Sequence, residues 1–537
     1  MSHKAEAADA QGVFGLVDNV TAQIAQRFAP GAAASGSAPM IEATATSNLE
    51  AYRHYQKCLE DERRYLNQDA VGECKQAITL DAQFGLAYLE LAWNQYFVGD
   101  SRASAETLKK VEPLRERMPR QAQLQFDMMK SLGDPDRLLE LRTKYVAEFP
   151  RDTRQRELLG VALGRMGDFD KSVAVLRDGV TMDPKDAGLW NILSYQLAWA
   201  GDLDAALKAN DEYAKLDPGQ NPPDTRGDLL FLHNRDDEAL AEYRKTLEMN
   251  PSFQDYEEYL KLAMVYADQK KNALAEASLE QYSRNTKPLA RLYRPIFEAQ
   301  AEQQRGDLDM ARSKYLRAAQ DLAAEKQYPG AASALLQYAF VSDLVGGNAA
   351  AQAAVRRVRV EGGELLALAF LQASAGDGAL AGRTLQEYAK AHPELSSKTI
   401  DRQRVSLEMA AALKRNDPPA AIGSASHLSA GSGAVLAPMF LLMKGRAEAE
   451  VKDYKSAERD LKYTIRVNRD FGNTGFMRQN LPITAILARF YLAQVYEATG
   501  KRDQAVNEYQ EFLSHFEGSK AKLPQIGEAK SALKRLL

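Results

Sequence analysis

The side chains that most often bind metals or attack electrophiles are sparse in this sequence. There are two cysteines, Cys58 and Cys74, and six histidines, His3, His54, His233, His392, His427 and His515, scattered at wide spacing. One pair has ligand spacing: His54 and Cys58, at i and i+4. A structural zinc site normally needs four ligands, and Cys58 falls where a small buried residue is expected, so no metal is expected there. The two cysteines could instead react with each other, since they lie on facing helices of one expected hairpin. Antiparallel packing, however, sets Cys58 opposite Ala70, a full turn from Cys74, and a bridge needs Cα atoms within about 7 Å. Two separately buried thiols are the expectation. No G-x-x-x-x-G-K-[ST], G-x-G-x-x-G, H-E-x-x-H or G-x-S-x-G motif occurs. The chain therefore reads as non-enzymatic, with no catalytic residue, cofactor or metal. The triplet Asn19-Val20-Thr21 matches a glycosylation acceptor, a match frequent by chance.

Charge excludes other classes. Sixty-nine basic and 73 acidic residues give a net charge of −4 and are mixed along the chain. With no basic tail or stripe, nucleic acid is not expected as the partner. Runs such as "EDERR" (60–64) and "RRVR" (356–359) read as solvated helix faces. No apolar stretch approaches the roughly 18–20 residues of a membrane span: "AVLAPMFLLM" (434–443) is half that and contains Pro438. The N-terminus, "MSHKAEAADAQG", is polar and lacks the apolar run of a secretory signal. The chain reads as soluble without membrane insertion: cytoplasmic, or periplasmic if an export or membrane segment lies upstream.

At 537 residues the chain exceeds the roughly 250–300 at which one core stops growing, so an extended array or several domains must hold it. Residues 1–28 read as an N-terminal helical segment, with apolar positions at helical spacing over 11–28, and 29–47 is an Ala/Gly/Ser/Pro-rich linker. Beyond Asn48 the pattern is helices joined by short turns. "GDFDKSVAVLRDGVTMDP" (167–184) returns thirty-four residues on as "GDLDAALKANDEYAKLDP" (201–218). Each stretch follows a helix bearing large and small apolar residues, Leu159-Gly160-Leu163 and Leu193-Ser194-Leu197. Gly-Asp makes the turn, and proline closes the unit. This resembles the 34-residue tetratricopeptide repeat, or TPR. The same pattern continues through 85–96, 236–251, 306–319, 445–465 and 488–513, and is degenerate over 330–432.

The resemblance implies an all-α fold, an α-α superhelix (TPR solenoid) of about twelve helical hairpins, because one hairpin cannot hide its apolar stripe alone. The expected layout is an N-terminal array over 48–290, a partly degenerate C-terminal array over 291–521 and a capping helix over 522–537. Residues 46–92 and 509–536 are similar to the opening and end of TPR arrays in multidomain bacterial signalling proteins, where such arrays follow a kinase, a cyclase or a winged-helix regulator. The implied function is a scaffold that binds a protein or peptide in a concave groove, in sensing or assembly. A regulatory subunit of an enzyme such as a serine/threonine kinase, or a periplasmic envelope-assembly factor, are the alternatives. On the first helix of each hairpin, residues one turn from the packing positions face the groove: Tyr52, Tyr55, Trp93, Tyr96, Asn191, Tyr195 and Trp199. Each either anchors a ligand or packs against the next such helix.

Overall fold

The computed structural model describes residues 46–63, 66–98, 100–132, 135–393, 395, 397–425, 437–471 and 480–537. The expected helical segment 1–28, most of the linker, Asn19 and His427 lie outside the described residues. The chain divides into two compact units, 1–152 and 153–537, whereas the sequence suggested a division at 290/291.

The first unit carries α1 (Leu49–Arg63), α2 (Asn67–Leu80), α3 (Gly85–Phe97), α4 (Ser101–Val111), a 3-10 turn (Glu112–Arg117), α5 (Arg120–Lys130) and α6 (Pro135–Glu148). The second begins with α7 (Thr153–Arg165), α8 (Phe169–Met182), α9 (Ala187–Ala200), α10 (Leu203–Leu216), α11 (Asn221–Leu232), α12 (Asp236–Met249), α13 (Glu258–Asp268) and α14 (Asn272–Asn285). It continues through α15 (Pro288–Arg291), α16 (Arg294–Gln304), α17 (Leu308–Ala324), α18 (Tyr328–Leu344), α19 (Asn348–Val355), α20 (Glu364–Ser374), α21 (Gly378–Ala391), α22 (Ser397–Lys414) and α23 (Pro418–Ala425). It ends with α24 (Ala437–Glu450), α25 (Tyr454–Val467), α26 (Pro482–Ala498), α27 (Arg502–Ser514) and α28 (Pro524–Leu536).

Consecutive helices pair antiparallel into stacked hairpins, α1 with α2 through α26 with α27. The described residues form the all-α, TPR-like stack that the repeat pattern implies. The turn within each hairpin follows one recipe. Gly167, Gly201, Gly306 and Gly376 take the left-handed conformation, with φ of 79°, 96°, 71° and 93°, which only glycine adopts without strain. The aspartate that follows caps the next helix: Asp168, Asp202, Asp307 and Asp377 each accept from the backbone N–H three residues on, worth ~1 kcal/mol. Small residues let the helices touch. A Cβ on Gly160 would lie 2.6 Å from Leu176. Ser172 Oγ donates to the Gly160 carbonyl at 2.7 Å, and Ser104 Oγ to that of Ala92 at 2.7 Å. The degenerate region keeps the hairpins; its first has a short second helix, α19, of eight residues, while α21 keeps fourteen.

Candidate functional site

The first helices of three successive hairpins share a buried polar ladder. On α11, Asp228 accepts from Tyr195 Oη of α9 at 2.7 Å, from Tyr243 Oη of α12 at 2.9 Å and from Lys261 Nζ of α13 at 2.9 and 3.0 Å. Lys261 Nζ also donates to Asp224, one turn earlier. Thr225 donates to Asn191 Oδ1 at 3.1 Å. Glu258, 1% exposed, lies against Asp224. Burial pushes the Asp228 carboxyl up to about 7, Lys261 opposing and Asp224 adding to the rise. Burial and the neighbouring Asp224 lift Glu258 well above the usual carboxylate range. Burial alone would lower Lys261, but Asp224 and Asp228 raise it. Three carboxyl groups thus share one ammonium, and burial beside Asp224 favours the protonated form of Glu258. With Asp224, Asp228 and Lys261 also within 3% of full burial, the cluster ties helices together and offers no approach to a substrate.

A second feature runs along the hairpin turns of the same unit, where the C-terminal hairpins return and dock. Tyr463 of α25 sits edge-on to Trp199 at 5.6 Å, and Trp199 stacks on Phe169 at 5.8 Å. Arg466 donates to the Trp199 carbonyl at 2.8 Å. Arg469 donates to the Phe231 carbonyl at 2.8 Å, lies 3.8 Å over that ring, and pairs with Asp236 and Asp268. Phe471 stacks on Phe231 at 4.4 Å. Gln300 donates to the Asn480 carbonyl, Gln303 accepts from the Ile483 N–H, and His515 is bonded to the Gln304 carbonyl. Arginines thus satisfy carbonyls left open at the C-termini of α9 and α11, where a cation is favoured, while aromatic rings cover the apolar side chains beside them.

The groove residues named from the sequence divide accordingly. Trp199 is 8% exposed, covered by the chain's own Tyr463. Asn191 and Tyr195 are bonded to α11, the next first helix. In the first unit Tyr55 packs on Phe84 at 4.9 Å, with Tyr52 beside it at 6.2 Å. Trp93 meets Phe97 edge-on at 4.9 Å, and so does Tyr96 at 6.0 Å. Of the seven, only Tyr96 is exposed, at 42%.

Two other expectations change. Cys58 and Cys74 are joined as a disulfide, with Cα atoms 5.5 Å apart, not two separate thiols. α1 and α2 are offset by about a turn from the pairing assumed, which brings Cys74 opposite Cys58. His54 Nδ1 lies 2.6 Å from Glu73 Oε2. Within "EDERR", Asp61 is buried and accepts from Lys57 at 2.9 Å, while Arg356 and Arg357 of "RRVR" are exposed as expected.

Sequence reasoning missed the Asp228 cluster and the docking arginines. A signal existed for each. Lys261 is a lone cation in the apolar stretch "EYLKLAMVYA", and Arg466 and Arg469 lie three apart in "TIRVNRDF" just after an apolar-periodic segment.

No family model matches the sequence, and no curated protein matches it. Among solved structures the chain is similar to a thermophilic TPR protein of Thermus thermophilus, at 20% identity over 42% of this chain and 99% of that one, TM-score 0.27. It is similar to yeast Tom70, at 15% identity over 78% and 98%, TM-score 0.37. It also resembles a chain of the APC/C hetero-tetramer Cut9-Hcn1, at 14% identity over 91% and 96%, TM-score 0.29. Among the described residues no helix is long and apolar enough to cross a membrane.

Proposed function

We propose that the chain is a non-enzymatic TPR scaffold that binds a protein or peptide partner and serves as a sensory or assembly module in bacterial signalling. The observation that carries this reading is the docking of α25 and the residues after it along the hairpin turns of the second unit. There the repeat surface takes up a polypeptide segment through backbone carbonyls, arginines and stacked rings. The signalling context rests on the likeness of 46–92 and 509–536 to arrays of that kind. Tyr52, Tyr55, Trp93 and Tyr96 remain the candidate partner contacts. Asn191, Tyr195 and Trp199 hold the second unit together as well, so their substitution would mix binding with stability.

The test uses the intact chain. Partners are captured by cross-linking, and affinity is measured for the chain and for a Tyr52→Ala/Tyr96→Ala variant with unchanged circular dichroism. A loss of about 2 kcal/mol, the scale of an interface hot spot, is expected. Turnover of nucleotide by the purified chain would refute the non-enzymatic reading. A second reading, a factor of the periplasm, is favoured by the Cys58–Cys74 bridge, since disulfides persist in oxidising compartments.

A further inference from the structure

Where α25 to α27 dock beside the end of α11, they frame a recess of about 220 Å³. Its walls are cationic. α25 contributes Lys462, Arg466 and Arg469, at i, i+4 and i+7 on one helix face, and α26 adds Arg489. Glu508 of α27 is the one acidic residue lining it among the described residues, and Arg489 Nη1 engages it at 3.0 Å. Arg469 is held by Asp236 and Asp268. Lys462 pairs with Glu458 at 2.6 Å, but Lys501 engages the same carboxylate at 2.7 Å. Arg466 differs from these. It and His233 are fixed at the end of α9 by the successive carbonyls of Trp199 and Ala198, at 2.8 and 2.9 Å. Among the described residues Arg466 pairs with no carboxylate. Burial lowers it from the usual guanidinium value, opposed only by the neighbouring Tyr463. A guanidinium cannot shed its proton in a protein, and burying a charge without a counter-charge is costly. The segment 472–479, which follows α25, contains no aspartate or glutamate, so it cannot supply that counter-charge.

We infer that this recess is a binding site for a phosphate group, held by Arg466 and Arg489 with Lys462 beside them. Guanidinium forks match phosphate oxygens in pairs. A phosphate monoester carries about −1.5 to −2 charges at neutral pH, which supplies the counter-charge that Arg466 lacks and that Lys462 has to share. A carboxylate brings a single charge and two oxygens to the same three cations. The volume is well above that of a single water, so the whole group can enter. Because the recess lies between α11 and α25 to α27, far apart in the sequence, the bound anion ties the returning hairpins to the turns they cover. A free phosphate and a phosphorylated side chain of a partner share this chemistry. The site stands apart from the scaffold reading, which capture of a partner tests.

The experiment titrates the full-length chain by calorimetry at fixed ionic strength. The probes are inorganic phosphate, a short peptide carrying one phosphoserine, and the same peptide with unmodified serine. The expected result is saturable, one-to-one binding of at least one phosphate probe, with the unmodified peptide about tenfold weaker or more. Arg466→Gln, whose amide can still donate to the Trp199 carbonyl, should weaken binding about tenfold or more, the loss of a charge-assisted pair. Glu508→Gln removes the acid that lines the recess and should strengthen binding, a gain that a misfolded variant cannot mimic. Tighter binding of inorganic phosphate assigns the site to a free anion, and tighter binding of the phosphopeptide assigns it to a modified side chain. In wild type the bound probe should slow hydrogen exchange in both 221–232 and 454–467. No saturable binding of either phosphate probe, equal binding of the two peptides, or wild-type affinity in either variant would overturn the assignment.

Discussion

Lys261 shows what a single residue does here. Its ammonium is the one cation within the cluster of Asp224, Asp228 and Glu258. Breaking a buried pair by removing one partner leaves an uncompensated charge and costs about 3–5 kcal/mol. Lys261→Met is expected to destabilise the second unit on that scale, read by urea unfolding. The same cluster sets a pH dependence. Burial raises Asp228 from 3.8 to about 7, so the folded chain holds a proton that the unfolded chain has released. Stability rises with pH only where the unfolded state binds more protons, and here it binds fewer. The contribution of Asp228 must therefore fall as pH climbs from about 4 to about 7, by at most ~1.4 kcal/mol per unit, and level off above. The stability of the chain minus that of Asp228→Asn, measured across this range, should follow that slope. A difference independent of pH would show that Asp228 titrates at its ordinary value.

Among the elements, the first and last carry the clearest expectations. The hairpin α1/α2 is closed by the disulfide across 16 residues, a loop for which the chain-entropy model gives about 3 kcal/mol. Replacing both cysteines with serine should speed hydrogen exchange across 49–80 and leave the second unit unchanged. Two free thiols in denatured, unreduced protein would contradict the pairing. At the other end α28 buries Ala529 and Ala532 against α27, while Gln525 bonds Tyr491 and Arg535 pairs with Glu497. Terminal repeats need such covers to stay soluble. Deleting 522–537 should uncover apolar surface around Tyr509 and Leu513 and cause aggregation, measured by sedimentation. Unchanged solubility and melting would remove the capping role.

At the scale of the whole second unit, closure matters more than any hairpin. An open array is stabilised only between neighbours and can unravel from an end. Arg469 joins sequence-distant parts by gripping Phe231, Asp236 and Asp268, so hairpins α9 to α16 and α25 to α27 should open together. Arg469→Ala leaves half-buried Asp268, which Arg469 holds below its usual range against the opposing effect of desolvation, without its partner. The expected outcome is a drop of several kcal/mol and the separate opening of 187–268 and 454–514 in hydrogen exchange. Joint opening in the variant would show that other contacts carry the closure.

The repeat was legible because its causes are local. Gly-Asp turns, small residues at helix contacts and apolar spacing act within some thirty-four residues, so α7 to α10 fall where the pattern of 153–218 placed them. The helix-facing role of Tyr195 was readable as one of two outcomes, and its partner on α11 chose between them. The cover over Trp199 was not readable, because Tyr463 lies far along the chain and nothing in a periodic pattern states how many hairpins bring the stack back onto its own turns. Cys58 and Cys74 failed for a related reason. Their pairing depends on the axial offset of two helices, a shift of about one turn that small residues permit without specifying. Local interactions name the hairpins, whereas the angle and offset between hairpins accumulate along the stack, and that accumulated geometry settles which surfaces remain for a partner.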